Sequence, residues 1–108
     1  MKTLDSNFQY LKDMYSDSYY PTFLVDKIKE QIVKVVLFLE SGSYNNDEVQ
    51  AQLDKMTLAI NDIQDEFYQN DSELETVARD SIAITVEEIL NFFEVDIDIE
   101  TALQERDW

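Results

Sequence analysis

The sequence predicts an all-α fold: a compact antiparallel bundle of three long helices, at about 21–40, 46–69 and 72–94, with short N- and C-terminal helices. Three observations lead there. Glycine and proline occur once each in 108 residues, as Gly42 and Pro21, whereas a sheet protein of this size needs many tight turns and the residues that make them. The apolar positions Val49, Leu53, Met56, Ile60, Ile63 and Phe67 recur at intervals of 4, 3, 4, 3 and 4, an unbroken heptad stripe. Apolar residues make up 44% of the chain, enough to fold despite a net charge of -16. A chain of this length suits one helical domain, residues 1–108, with one core.

The first element is expected as a short helix near 6–16. Ser6 or Asp5 can cap it, and Phe8, Leu11 and Tyr15 stand at helical spacing before Ser16-Asp17-Ser18 breaks it. Pro21 occupies a position favoured in the first turn of the next helix. There Ile28, Ile32, Val35, Val36 and Leu39 form one stripe, and between Ile32 and Leu39 only Lys34 is polar. Such a helix is expected to be central and covered on several sides. The β-branched residues also suit a buried strand, but helical spacing continues back to Leu24 and the pattern is too long for one strand. Gly42 is a plausible helix stop.

Asn45 followed by Glu48 has capping-box spacing and opens the heptad helix. Its stripe is expected to pack on the preceding helix, and the alternative is a homodimer seam. Ser72 and Glu75 repeat the spacing and are expected to open the third long helix, with Ala78, Ile82, Val86, Ile89 and Phe93 on its inner side. Val77 and Ile84 lie on its back, so that side is expected to touch something as well. Asp96 or Asp98 can cap a last helix holding Ile99, Ala102 and Leu103. The two short terminal helices are expected to cover the open faces.

Composition narrows the chemistry. With no cysteine, disulfides, thiolate catalysis and cysteine-ligated metals are excluded. With no histidine, the commonest general base and zinc ligand is gone. No run of 18 apolar residues is present and residues 1–10 carry no secretion-type apolar run, so a cytoplasmic protein is expected. Residues 1–53 hold eight acidic and five basic groups, and residues 54–108 sixteen and three. This charge repels nucleic acid and anionic membranes and steers the chain towards basic partners. The competing reading is that it serves solubility alone.

No cofactor, metal or catalytic set is expected. Asp62 and Asp65 are the only acidic i,i+3 pair on a long helix; no second helix reciprocates it, and it lies opposite the heptad stripe. Asp96, Asp98 and Glu100 alternate as calcium ligands do, but the loop glycine is missing and Ile97 and Ile99 fill the gaps. Lys27 and Lys34 are read as pairing with Asp26 or Glu30, or as solubilising. Tyr15, Tyr19 and Tyr20 read as core lining more readily than as a ligand cage.

The candidate surface is the back of the heptad helix. At about 100° per residue, Asp47, Ala51, Asp54, Leu58, Asp62 and Asp65 fall opposite the stripe. A leucine between carboxylates suits protein binding, with desolvation from the leucine and steering from the charges. A single exposed leucine is also ordinary, and the N-terminal helix could cover it. Glu73, Glu87, Glu88 and Glu94 extend the acidic surface from the third helix. Glu75 and Arg79 stand at i,i+4 towards the apolar side and are expected to form a partly buried structural ion pair. A functional role for Arg79 is the alternative.

Several stretches carry a resemblance: Leu11-Lys12-Asp13-Met14-Tyr15, Tyr19-Tyr20-Pro21, Leu24-Val25-Asp26-Lys27, Glu66-Phe67, the run from Ser72 to Asp80, and Arg106-Asp107-Trp108. Together they resemble the signatures of a small bacterial family of unknown function, over nearly the whole chain except the middle, 42–59. The resemblance implies a bacterial origin and an intact single-domain protein. It implies no activity, so no residue inherits a role.

The function expected from these features is non-enzymatic binding of a basic protein partner, such as a toxin occupied by an immunity protein or antitoxin. The alternatives are a homodimeric regulatory or scaffold module and, with least support, a carboxylate or metal-dependent enzyme.

Overall fold

The computed structural model describes residues 2–108 and contains five helices in those residues: α1 (Lys12–Tyr15), α2 (Thr22–Glu40), α3 (Asn46–Gln69), α4 (Thr76–Phe92) and α5 (Ile99–Ala102). The protein is all-α, with no strand among the described residues. The heptad stripe behaves as its spacing predicts. Val49, Leu53, Met56, Ile60, Ile63 and Phe67 are all buried, and α3 packs along α2. The stripe is thus covered within the chain and is not available as a seam between copies. The Asn45–Glu48 capping box forms in both directions, at 2.9 and 3.0 Å.

α4 is attached differently. Its backbone comes close to α1 and α5 rather than to α2 or α3. The space between is filled by the two end segments. Residues 2–20 run antiparallel to α4. Lys2 Nζ donates to the Phe92 carbonyl (2.7 Å), the Leu11 amide to Thr85 Oγ1 (3.1 Å), and Ser72 Oγ to the Tyr19 carbonyl (3.0 Å). The same segment touches α2, through the Leu4 amide on Glu40 (2.9 Å) and the Tyr15 hydroxyl on Asp26 (2.6 Å). Leu11, Met14 and Tyr20 go into the core. Residues 96–108 lie on the other flank of α4 and run alongside α3 in the same direction. Asn46 reaches the Asp96 carbonyl, Gln50 the Thr101 carbonyl, and Asn61 the Glu105 carbonyl. Ala102 and Leu103 are fully buried there.

Several expectations need correction. The N-terminal helix is only α1, four residues long, not 6–16. It begins after Leu11, which sits in the left-handed region at φ 50°. That conformation costs a non-glycine residue roughly 1–2 kcal/mol. Burying the leucine side chain returns about 1.5–3 kcal/mol, so the turn is held by what it buries. The third long helix begins at Thr76, not 72. Ser72 is buried and its hydroxyl is spent on Tyr19, so no capping box forms there. Val77 and Ile84 on the back of α4 are not covered: they are 43% and 51% exposed, and Ile84 borders a cleft shared with the N-terminal segment. α2 is covered by α3 on one flank and by the N-terminal segment on another, but not all round: Phe23 and Leu37 on its outer side are 55% and 61% exposed. Lys27 pairs with Glu66 of α3 rather than within its own helix.

The helix ends share one device. Gly42 follows α2 at φ 74°, Asp71 follows α3 at φ 57°, and Glu94 follows α4 at φ 58°. After α3, the Ser72 amide returns to the Phe67 carbonyl (2.9 Å); after α4, the Val95 amide returns to the Leu90 carbonyl (2.9 Å). These are left-handed caps that close orphan carbonyls, and only the first uses the glycine.

Tyr15 ties the N-terminal segment to α2, and this contact has a pH signature. Burial, followed by the hydrogen bond to Asp26 and its charge, raises the phenol well above its ordinary value of 10.0. A group raised in the folded state contributes stability that is complete below its unfolded value and is lost as pH rises through the folded one. Alkaline absorbance titration should therefore show Tyr15 ionising later than a free tyrosine, and Tyr15→Phe should remove that late component.

Candidate functional site

The back of α3 is exposed along its length, as the projection places it. Asp47, Ala51, Leu58, Asp62 and Asp65 are exposed, with Leu58 at 49%. From Asp47 to Asp65 the ridge spans about 27 Å at 1.5 Å per residue. None of these three aspartates makes an ion pair among the described residues. Neither end segment covers Leu58.

Asp54 departs from the ridge. It is partly buried, and its carboxylate accepts from Gln50 Nε2 (2.8 Å) and Gln104 Nε2 (3.2 Å). It fastens the C-terminal segment to α3. Beside it, Asn61 Nδ2 donates to the Glu105 carbonyl (2.8 Å) and Asn61 Oδ1 accepts from the Asp107 amide (3.1 Å). Gln50, Asp54 and Asn61 therefore form a polar seam along one edge of the ridge. The row of amide-bearing residues at that edge was the available sequence signal, since amides can both donate to and accept from a passing backbone.

Glu73, Glu87 and Glu88 are exposed but are not gathered onto the ridge. Glu73 lies in the turn before α4. Glu88 lines a cleft of about 370 Å³ with Gln9, Lys12 and Asp13, on the flank of α4 that holds the N-terminal segment. The opposite flank, with Arg79 and Ala83, meets the C-terminal segment, which separates α4 from α3. Glu87 lies between these flanks, on the outer side of α4. Glu94 is paired with Lys2 at 3.3 Å.

Glu75 and Arg79 do not form the expected pair. Both are exposed, and they are joined only through the Arg79 amide on the Glu75 carbonyl, at 2.9 Å. Glu75 stands at the N-terminus of α4 as its capping position. Its side chain is outside the helix, so the i,i+4 surface geometry does not apply.

Among the described residues no group of three or more acidic side chains is placed to hold a metal ion. Asp98 instead caps α5, accepting from the Thr101 hydroxyl at 2.6 Å, and these hydrogen bonds lower its pKa. Glu100 pairs with Arg106 at 3.2 Å. Tyr20 is buried edge-on against Phe67 with ring centroids 6.3 Å apart and lines the core, Tyr15 is partly buried against it, and Tyr19 is 41% exposed. No helix among the described residues is long and apolar enough to cross a membrane.

A family of unknown function, DUF5713, matches residues 4–108. The chain belongs to that family. No curated protein and no solved structure matches it. Membership places nearly the whole chain in the family and assigns no activity. The stretches behind the resemblance meet mainly in structural contacts: Tyr15 with Asp26, Lys27 with Glu66, Tyr20 with Phe67, and Ser72 with Tyr19.

The two kinds of aspartate should separate by mutation. Asp54→Ala removes the acceptor of the Gln104 amide and one of the two acceptors of the Gln50 amide, and should cost about 1 kcal/mol in urea denaturation. Asp62→Ala breaks no contact and should change stability by less than about 0.5 kcal/mol.

Proposed function

We propose that this protein is a non-enzymatic binding protein whose partner is a basic protein, engaged by the outer face of α3. The observation that carries this reading is the unpaired state of the ridge. The chain has 24 acidic residues, and the ion pairs among the described residues are Lys2–Glu94, Lys27–Glu66 and Arg106–Glu100. None involves Asp47, Asp62 or Asp65. The ridge is continuous because it is built on one 24-residue helix, and Leu58 gives it one desolvation anchor. Carboxylates around an apolar anchor favour fast, oriented encounter with a cationic surface.

An immunity protein or antitoxin is the specific role that fits such a surface. A toxin that acts on nucleic acid carries a cationic cleft, and a rod of carboxylates occupies it by the same electrostatics as phosphate. The chain would act by occlusion and would need no reactive group of its own.

The test is affinity capture from the native cells at low and moderate ionic strength, with wild type beside Leu58→Ala and Asp62→Asn/Asp65→Asn. The expected result is a basic protein held by the wild type, released as salt rises, and lost or weakened in the variants. Retention of no basic protein, or equal retention by all three proteins, would contradict the proposal.

A further inference from the structure

The C-terminal segment and α4 enclose a cleft of about 250 Å³ that is unlike the rest of the surface. It is lined by Arg79 and Arg106, two of the three cationic residues in 54–108, together with Ile99, Leu103 and Trp108. Arg106 is held in place, paired with Glu100 at 3.2 Å and 6.0 Å from the centre of the Trp108 ring. Arg79 is not held. It makes no side-chain hydrogen bond or ion pair among the described residues, although Asp80 and Glu100 also border the cleft. The Trp108 indole Nε1 is shielded from solvent and has no acceptor. A buried donor left unmatched costs about 1–3 kcal/mol.

We infer that this cleft binds a small amphipathic carboxylate, with its anionic head on Arg79 and its apolar body against Ala83, Ile99 and the Trp108 ring. The chemistry selects this class. A guanidinium presents a planar fork that matches a carboxylate. The apolar lining gives a bare oxyanion such as phosphate nothing to pack against. The volume lies below the usual range for drug-sized ligands, so a nucleotide does not fit. The surrounding negative field weakens any anion, and affinity for a ligand of about eight heavy atoms is expected on the order of 1 mM. This site is separate from the α3 ridge and stands whether or not a protein binds there.

Trp108 is the only tryptophan in the chain, so its emission reports on this cleft alone. The experiment is a titration with sodium hexanoate at constant ionic strength, followed by Trp108 fluorescence and by the NMR shift of its indole N–H. Hexanamide and inorganic phosphate serve as comparisons. The expected result is saturable change with hexanoate, and a loss of affinity of about tenfold or more in Arg79→Gln. Arg79 is exposed, so that variant should keep the wild-type circular dichroism. No saturable change in either signal would overturn the inference. So would equal binding by Arg79→Gln, or hexanamide or phosphate binding as well as hexanoate.

Discussion

The rest of the structure depends on how the apolar side of α4 is buried. α4 does not bring its backbone up against the α2–α3 pair. It reaches the common core across two wedges of chain, one from each end of the sequence. Leu11 and Met14 enter from one side, and Ala102 and Leu103 from the other, all with no exposed surface. Each large side chain among them gains about 1.5–3 kcal/mol from burial, against roughly 1–2 kcal/mol per residue for fixing the backbone that carries it. The segments are therefore held by a few deep side chains, and the hydrogen bonds along them set their register.

That arrangement also decides what the surface presents. The C-terminal segment crosses only one edge of α3, where Gln50, Asp54 and Asn61 hold it, and leaves the ridge from Asp47 to Asp65 in solvent. The same segment keeps α3 and α4 apart, so the acidic residues of α4 do not join the ridge. Along its inner edge it brings Arg106 and Trp108 opposite Arg79, making a small, partly apolar recess of balanced charge in an acidic molecule.

Much of this was legible in the sequence, for local reasons. The heptad stripe, the Asn45–Glu48 box and the stop at Gly42 each depend on residues a few positions apart, and each formed. The failures involve distant partners. Ser72 has the spacing of a cap, but the Tyr19 carbonyl claims its hydroxyl from 53 positions away. Asp71 and Glu94 end helices in a conformation that usually calls for glycine, so neither residue signalled a stop. α1 is short because Leu11 turns inward to meet Thr85, a contact spanning 74 positions. For the site, the projection placed five of its six residues in solvent. It missed Asp54 because the chain that returns over it shows no periodicity. The pairing assigned to Glu75 and Arg79 failed because the helix starts one residue after Glu75.

Native-state hydrogen exchange on Leu11→Ala and Leu103→Ala tests the wedge arrangement most directly. If both ends are structural members of one core, each substitution costs about 2–5 kcal/mol. The α4 amides then lose protection in step with those of α2 and α3. If α2 and α3 keep their full protection while the ends and α4 exchange freely, α4 is not bound to the helix pair through these segments and the account is wrong.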